Sequence, residues 1–143
     1  MEQQQASYND GAARAQVTVR AATALTGMRR ALLQGRATEA VDALGFTADT
    51  LQSAARVLLF FHYPACVAAT VAVASAGVPG LPEQAGTDFD LAPAAFLDLP
   101  EALVDAWVNA VYSLNPHWMP RPAQPSESEK KDGAASSSAF VSG

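Results

Sequence analysis

Residues 57–76 contain no Asp, Glu, Lys or Arg. A charge-free run of 20 residues has two homes, the interior of a folded domain or the core of a bilayer, and its length suits either. Arg56 precedes the run and acidic residues follow it, an asymmetry that a membrane orientation can use. Two features favour the interior. Pro64 interrupts the first half beside the polar His62, and alanine, which carries little hydrophobic drive, fills much of the second. Proline kinks or ends a helix and restricts the residue before it. The segment from Ala48 to Ala76 therefore reads as a core helix pair broken at Tyr63-Pro64, with Thr47 as the N-cap of its first helix. A single-span membrane protein through residues 57–76 is the alternative.

A core of this kind fits the rest of the chain. Its 143 residues make one domain the default. Half of them are hydrophobic, but 31 are alanine, which favours helix and buries little area. The expected class is mostly α: a small helical domain over residues 15–118, with one short N-terminal β-strand or hairpin. A frayed N-terminus is expected at 1–14, and a disordered C-terminal tail at 119–143.

The element expectations follow from local patterns. Gln16–Arg20 alternates polar and apolar residues, the mark of a short strand. Thr23 or Thr26 can cap a helix that buries Leu25, Met28, Leu32 and Leu33 and stops at Gly35. Thr38 to Leu44 forms a further turn, closed by Gly45. Residues 77–90 hold three Gly and two Pro and read as a loop. Asp90 can cap a short helix over 91–97. From Leu99 to Trp118 both helix ends are marked: Pro100 and Glu101 suit the first turn, and Asn115-Pro116 stops it. Leu99, Leu103, Trp107, Ala110, Val111 and Leu114 recur at spacings of three and four and share one face. Beyond Met119, Pro120, Pro122 and Pro125 lead into a Ser-, Glu- and Lys-rich stretch without the apolar content to order itself.

Charge excludes some functions. The net charge is −5, which argues against a nucleic-acid binder. Residues 1–62 hold six basic and five acidic side chains, whereas residues 63–118 hold six acidic and none that are basic. That asymmetry suits solvated surface charge, oriented self-association or a basic partner.

Reactive chemistry is absent from the pattern. Cys66 is the single cysteine, so no internal disulfide is open to it. It shares a helical face with His62, but the pair lacks a third ligand for a metal. Its apolar surroundings oppose a reactive thiolate. Asp98, Glu101 and Asp105 read as a solvated helix start rather than an acid pair, and no phosphate-binding glycine loop exists. The expectation is a protein without catalysis, metal or cofactor. Trp107 belongs to the core stripe. Tyr112 lies off the stripe and Trp118 follows the helix stop, so Tyr112, Trp118, Asp98, Glu101 and Asp105 are the candidate partner-binding residues.

Three short motifs carry a family resemblance: Phe96-Leu-Asp-Leu-Pro-Glu101, Val104-Asp105-Ala106-Trp107 and Leu114-Asn-Pro-His-Trp118, with Tyr63-Pro64 before the small-residue run. Over about residues 15–118 the chain resembles the tail assembly chaperones of long-tailed bacteriophages. The resemblance implies a protein of the host cytoplasm that escorts the tape-measure protein, self-associates as a homo-oligomer, and is absent from the mature virion. It also implies a longer form made by ribosomal frameshifting. Glu129-Lys130-Lys131, if encoded GAA-AAA-AAG, is a slippery heptamer. A structural tail or connector protein is the other virion-related alternative.

Overall fold

A computed structural model describes residues 2–44 and 49–120, with the side chains of residues 44 and 49–52 not described. The expectations for Gly45, Thr47 and the tail beyond residue 120 lie outside the described residues.

The class is mixed α/β, which corrects the mostly α expectation. Four strands form one antiparallel sheet in the order β1-β2-β3-β4: β1 (Gln3–Asn9), β2 (Arg14–Arg20), β3 (Thr70–Ala76) and β4 (Gln84–Ala85). The N-terminal residues expected to fray thus make the first hairpin. Its turn is built by side chains. Asp10 Oδ1 accepts from the Ala12 and Ala13 amides at 2.9 and 2.7 Å, and Asn9 Oδ1 accepts from the Gly11 amide at 2.9 Å. Gly11 has φ +92°, a conformation open to glycine. Asn-Asp-Gly is a turn signal with a mechanism.

The last seven residues of the charge-free run are not helix. Thr70–Ala76 is a central strand, pairing Val17 with Val73 in register on one side and Gln84–Ala85 on the other. Thr70, Val71 and Val73 are β-branched, which suits a pleated surface better than a helix. Ala6, Ala15, Val17, Val19 and Val73 face inward and are buried. Gln5 and Gln16 are exposed, and Gln16 Nε2 donates to Gln5 Oε1 at 2.7 Å.

Among the described residues five helices accompany the sheet: α1 (Ala24–Leu44), α2 (Asp49–Val57), α3 (Tyr63–Ala69), α4 (Pro93–Leu97) and α5 (Glu101–Leu114). A π-helical turn, Leu58–His62, joins α2 to α3, and a 3₁₀ turn, Pro116–Trp118, follows α5. α5 packs on β1 and β2, α3 packs on β2, and α1 lies against α3. Among the described residues no helix is long and apolar enough to cross a membrane.

Three helix expectations are corrected. Gly35 does not end α1, which runs on to Leu44 as one element. Nothing lies within 4 Å of a Cβ placed on Gly35, so this is an exposed helix glycine, costing about 1 kcal/mol relative to alanine without breaking the helix. The buried face of α1 is Leu33, Ala37 and Val41, while Leu25, Met28 and Leu32 are outside. Thr23 and Thr26 cap the helix reciprocally, with Thr23 N donating to Thr26 Oγ1 at 2.7 Å and Thr26 N to Thr23 Oγ1 at 3.3 Å. Asp90 caps nothing; the N-cap of α4 is Ala92. Asp90 instead pairs with Arg36 of α1 at 2.9 Å.

α5 carries the stripe its spacing predicts, with Leu99, Leu103, Trp107, Ala110 and Val111 buried. Pro100 sits at its N-cap and Glu101 in its first turn. Asn115, fully buried, closes the helix and ties it to the start of α1. Its Oδ1 accepts from the Ala22 amide at 2.7 Å, and its Nδ2 donates to the carbonyls of Arg20 and Val111, each at 3.1 Å. Asn115→Ala removes these bonds at once, and each buried polar group that loses its partner costs about 1–3 kcal/mol. Urea unfolding of this variant is expected to show a loss of about 2–4 kcal/mol, and a loss below 0.5 kcal/mol (about the scatter of a neutral surface change) contradicts the latch.

Candidate partner-binding surface

The turn before Pro64 departs from regular α-helix. Proline has no amide to give the carbonyl four residues earlier, and its ring crowds that carbonyl. The chain widens instead: the Tyr63 amide donates to Leu58 O, five residues back. Phe60 O then accepts from Gln34 Nε2 and Phe61 O from Tyr112 Oη, both at 3.4 Å. Single π turns inside helices are frequent at functional sites.

Apolar side chains at this turn and just before it lie outward. Val57 is 43 % exposed and Phe60 38 %. Phe60 and Phe61 meet edge to face, 5.5 Å apart. A groove of about 300 Å³ lies between this ridge and α1, lined by Val41, Val57, Phe60 and Phe61 with Asp42 and Arg56 at its polar margin. A second, of about 580 Å³, lies between the ridge and α5, lined by Val57, Leu58, His62, Val104, Asp105 and Val108. Val57 belongs to both. A separate apolar strip runs along α1, where Leu25, Met28 and Leu32 are 74, 64 and 76 % exposed.

His62 lies beside the second groove. Its Nδ1 is 3.0 Å from the Tyr112 hydroxyl. Burial pulls the imidazole pKa below its ordinary value, since an apolar setting disfavours the charged form. Burial also raises Tyr112, with the nearby Cys66 adding to the effect. The Cys66 thiol is fully buried and pushed well up by burial alone, so it stays a thiol and packs as a small apolar group. Because His62 binds its proton more weakly folded than unfolded, its contribution to stability is complete above the unfolded value, about 6.5, and is lost as pH falls through the folded pKa. The melting temperature is expected to drop between pH 7.5 and pH 5, and His62→Gln to reduce that drop. An equal pH response in both proteins contradicts this role.

The five sequence candidates separate. Tyr112 and Trp118, expected to be exposed, are each only 6 % exposed. Tyr112 is drawn in by His62, and Trp118 folds back so that the Arg30 guanidinium sits 5.1 Å from its ring centre. Asp98, Glu101 and Asp105 are exposed. The structure brings Asp105 and the Tyr112–His62 pair to the second groove and leaves Trp118 beside α1. Val57, Phe60 and Phe61 are the residues that sequence reasoning missed. Their signal was an aromatic pair four and three residues ahead of Pro64, read as core because no charge interrupts it.

Among the described residues no group of three or more His, Cys, Asp or Glu could hold a metal ion. No family model, no curated protein and no solved structure matches this chain.

Proposed function

We propose that this chain is a non-catalytic binding protein that covers apolar helical stripes of a long client, as tail assembly chaperones of long-tailed bacteriophages cover the tape-measure protein. The observation that carries the reading is the apolar ridge at the π turn, Val57 and Phe60 exposed with a groove on either side. Large apolar side chains left outward and rimmed by polar groups mark interaction sites. The helix-in-groove mode needs such a channel with spaced pockets for successive side chains. The α1 strip offers a second place for the same chemistry. The host cytoplasm is the proposed setting, and self-association along the client is part of the same proposal.

The reading requires a very long helical open reading frame immediately downstream of this gene, and the test is co-expression with its product. The client should remain in the supernatant when this chain is present and precipitate without it. Equal client solubility in both cases contradicts the reading. Mass spectrometry of purified particles distinguishes the structural alternative: an escort is missing from them, whereas a tail component is present in stoichiometric amount. The frameshift proposal is tested at the codons for Lys130-Lys131, and AAG-AAG with no overlapping reading frame contradicts it.

A further inference from the structure

We infer that the groove between the end of α2 and α5 receives a cationic amphipathic helix. The inference rests on the client-binding reading and adds the chemistry of the face that binds. The walls are apolar, with Val57 and Leu58 on one side and Val104 and Val108 on the other. Residues spaced by three and four on an incoming helix can seat between such walls.

The rim decides the sign of the partner. Asp105 lines the groove, and the exposed Glu101 stands one helical turn before it on α5. No Lys or Arg occurs between residues 57 and 118, so neither the π turn nor α5 supplies a compensating charge. Arg56 faces the other groove. Among the described residues the other titratable groups here are His62, which burial holds toward its neutral form, and the Tyr112 hydroxyl beside it, and neither supplies a positive charge. A helix with Lys or Arg flanking its apolar stripe therefore meets complementary charge, and an acidic one meets repulsion. Such rim charges select partners chiefly by the cost of bringing like charges together.

The experiment uses the full 143-residue chain and two fluorescein-labelled 18-residue helical peptides that share one leucine stripe. One carries Lys on its flanks and the other Glu, and binding is read by fluorescence anisotropy at 150 mM salt. The Leu/Lys peptide is expected to bind at least tenfold more tightly than the Leu/Glu peptide. Asp105→Lys should weaken the Leu/Lys peptide about tenfold and strengthen the Leu/Glu peptide, whereas Asp88→Lys, which makes the same change in net charge on a loop outside the groove lining, should leave both unchanged. Val108→Asp should abolish binding, and Asp105→Lys, an exposed change, keeps the test decisive if Val108→Asp fails to fold. Equal weakening by Asp105→Lys and Asp88→Lys overturns the inference, because net charge then explains the binding. Tighter peptide binding after removal of residues 121–143 also overturns it, because the chain's own tail is then the occupant. If Phe60→Asp abolishes binding while Asp105→Lys leaves it intact, the groove assignment fails and the client-binding reading stands. Absence of Leu/Lys binding overturns the inference alone, since the co-expression experiment judges the client reading separately.

Discussion

Trp107→Ala is expected to lower the unfolding free energy by about 3–5 kcal/mol, the usual cost of deleting a large ring from a packed core. Trp107 is fully buried and meets Phe89 and Phe96 with ring centres 5.9 and 6.0 Å away. Phe96 in turn meets Tyr63, 5.5 Å away, so α3, α4 and α5 share one aromatic cluster. The indole also has a polar task. Its Nε1 donates to Thr70 Oγ1 at 3.1 Å, and Thr70 Oγ1 donates to Cys66 O at 2.7 Å. That chain of bonds crosses the point where α3 turns into β3. A domain of this size holds about 5–15 kcal/mol in all, so the variant loses a large fraction of its stability. The melting temperature should fall by about 10–20 °C. Thr70→Val separates the two contributions: it keeps the rings and strands the indole N–H, at about 1–3 kcal/mol. A Trp107→Ala loss no larger than that of Thr70→Val contradicts the packing account.

Phe60→Asp is expected to divide its effects differently: lower stability by only about 1–2 kcal/mol and weaken client binding by 10- to 100-fold, which is about 1.4–2.7 kcal/mol. Phe60 is 38 % exposed at the π turn, so the new carboxylate reaches water, while the covered part of the ring and its contact with Phe61 are lost. Interface energy concentrates in a few aromatic or aliphatic anchors, and the ridge holds two such residues, Val57 and Phe60. Circular dichroism fixes the first half of this expectation and titration of the client the second. Unaltered client affinity contradicts the assignment of this surface.

How much of this was legible in the chain depends on burial geometry. The α5 stripe was legible because one helix face is buried along its length, so apolar period and structure coincide. α1 was misread because its buried side uses Ala37 between Leu33 and Val41, while its larger apolar side chains, Leu25, Met28 and Leu32, lie outside. Size misleads when alanine supplies the contact surface. β1 gave no alternation to read. It is an edge strand of polar residues with Ala6 alone fully buried, and its signal lay in the Asn9-Asp10-Gly11 turn. β3 was hidden by alanine at alternate positions, which suits either period, so its β-branched residues were the better guide. At the site, Asp105 was found because a charge on a helix rim is visible in sequence. The grooves were not, because Pro64 acts through the path of the chain before it.

Crosslinking from Val57 tests the central claim most directly, since that residue lines both grooves. A photoreactive benzoylphenylalanine at position 57, in cells that also make the long client, should yield a covalent adduct with it, whereas the same group at position 16 on the open face of the sheet should yield none. Adducts from position 16 and none from position 57 would place the partner on the sheet and contradict the account.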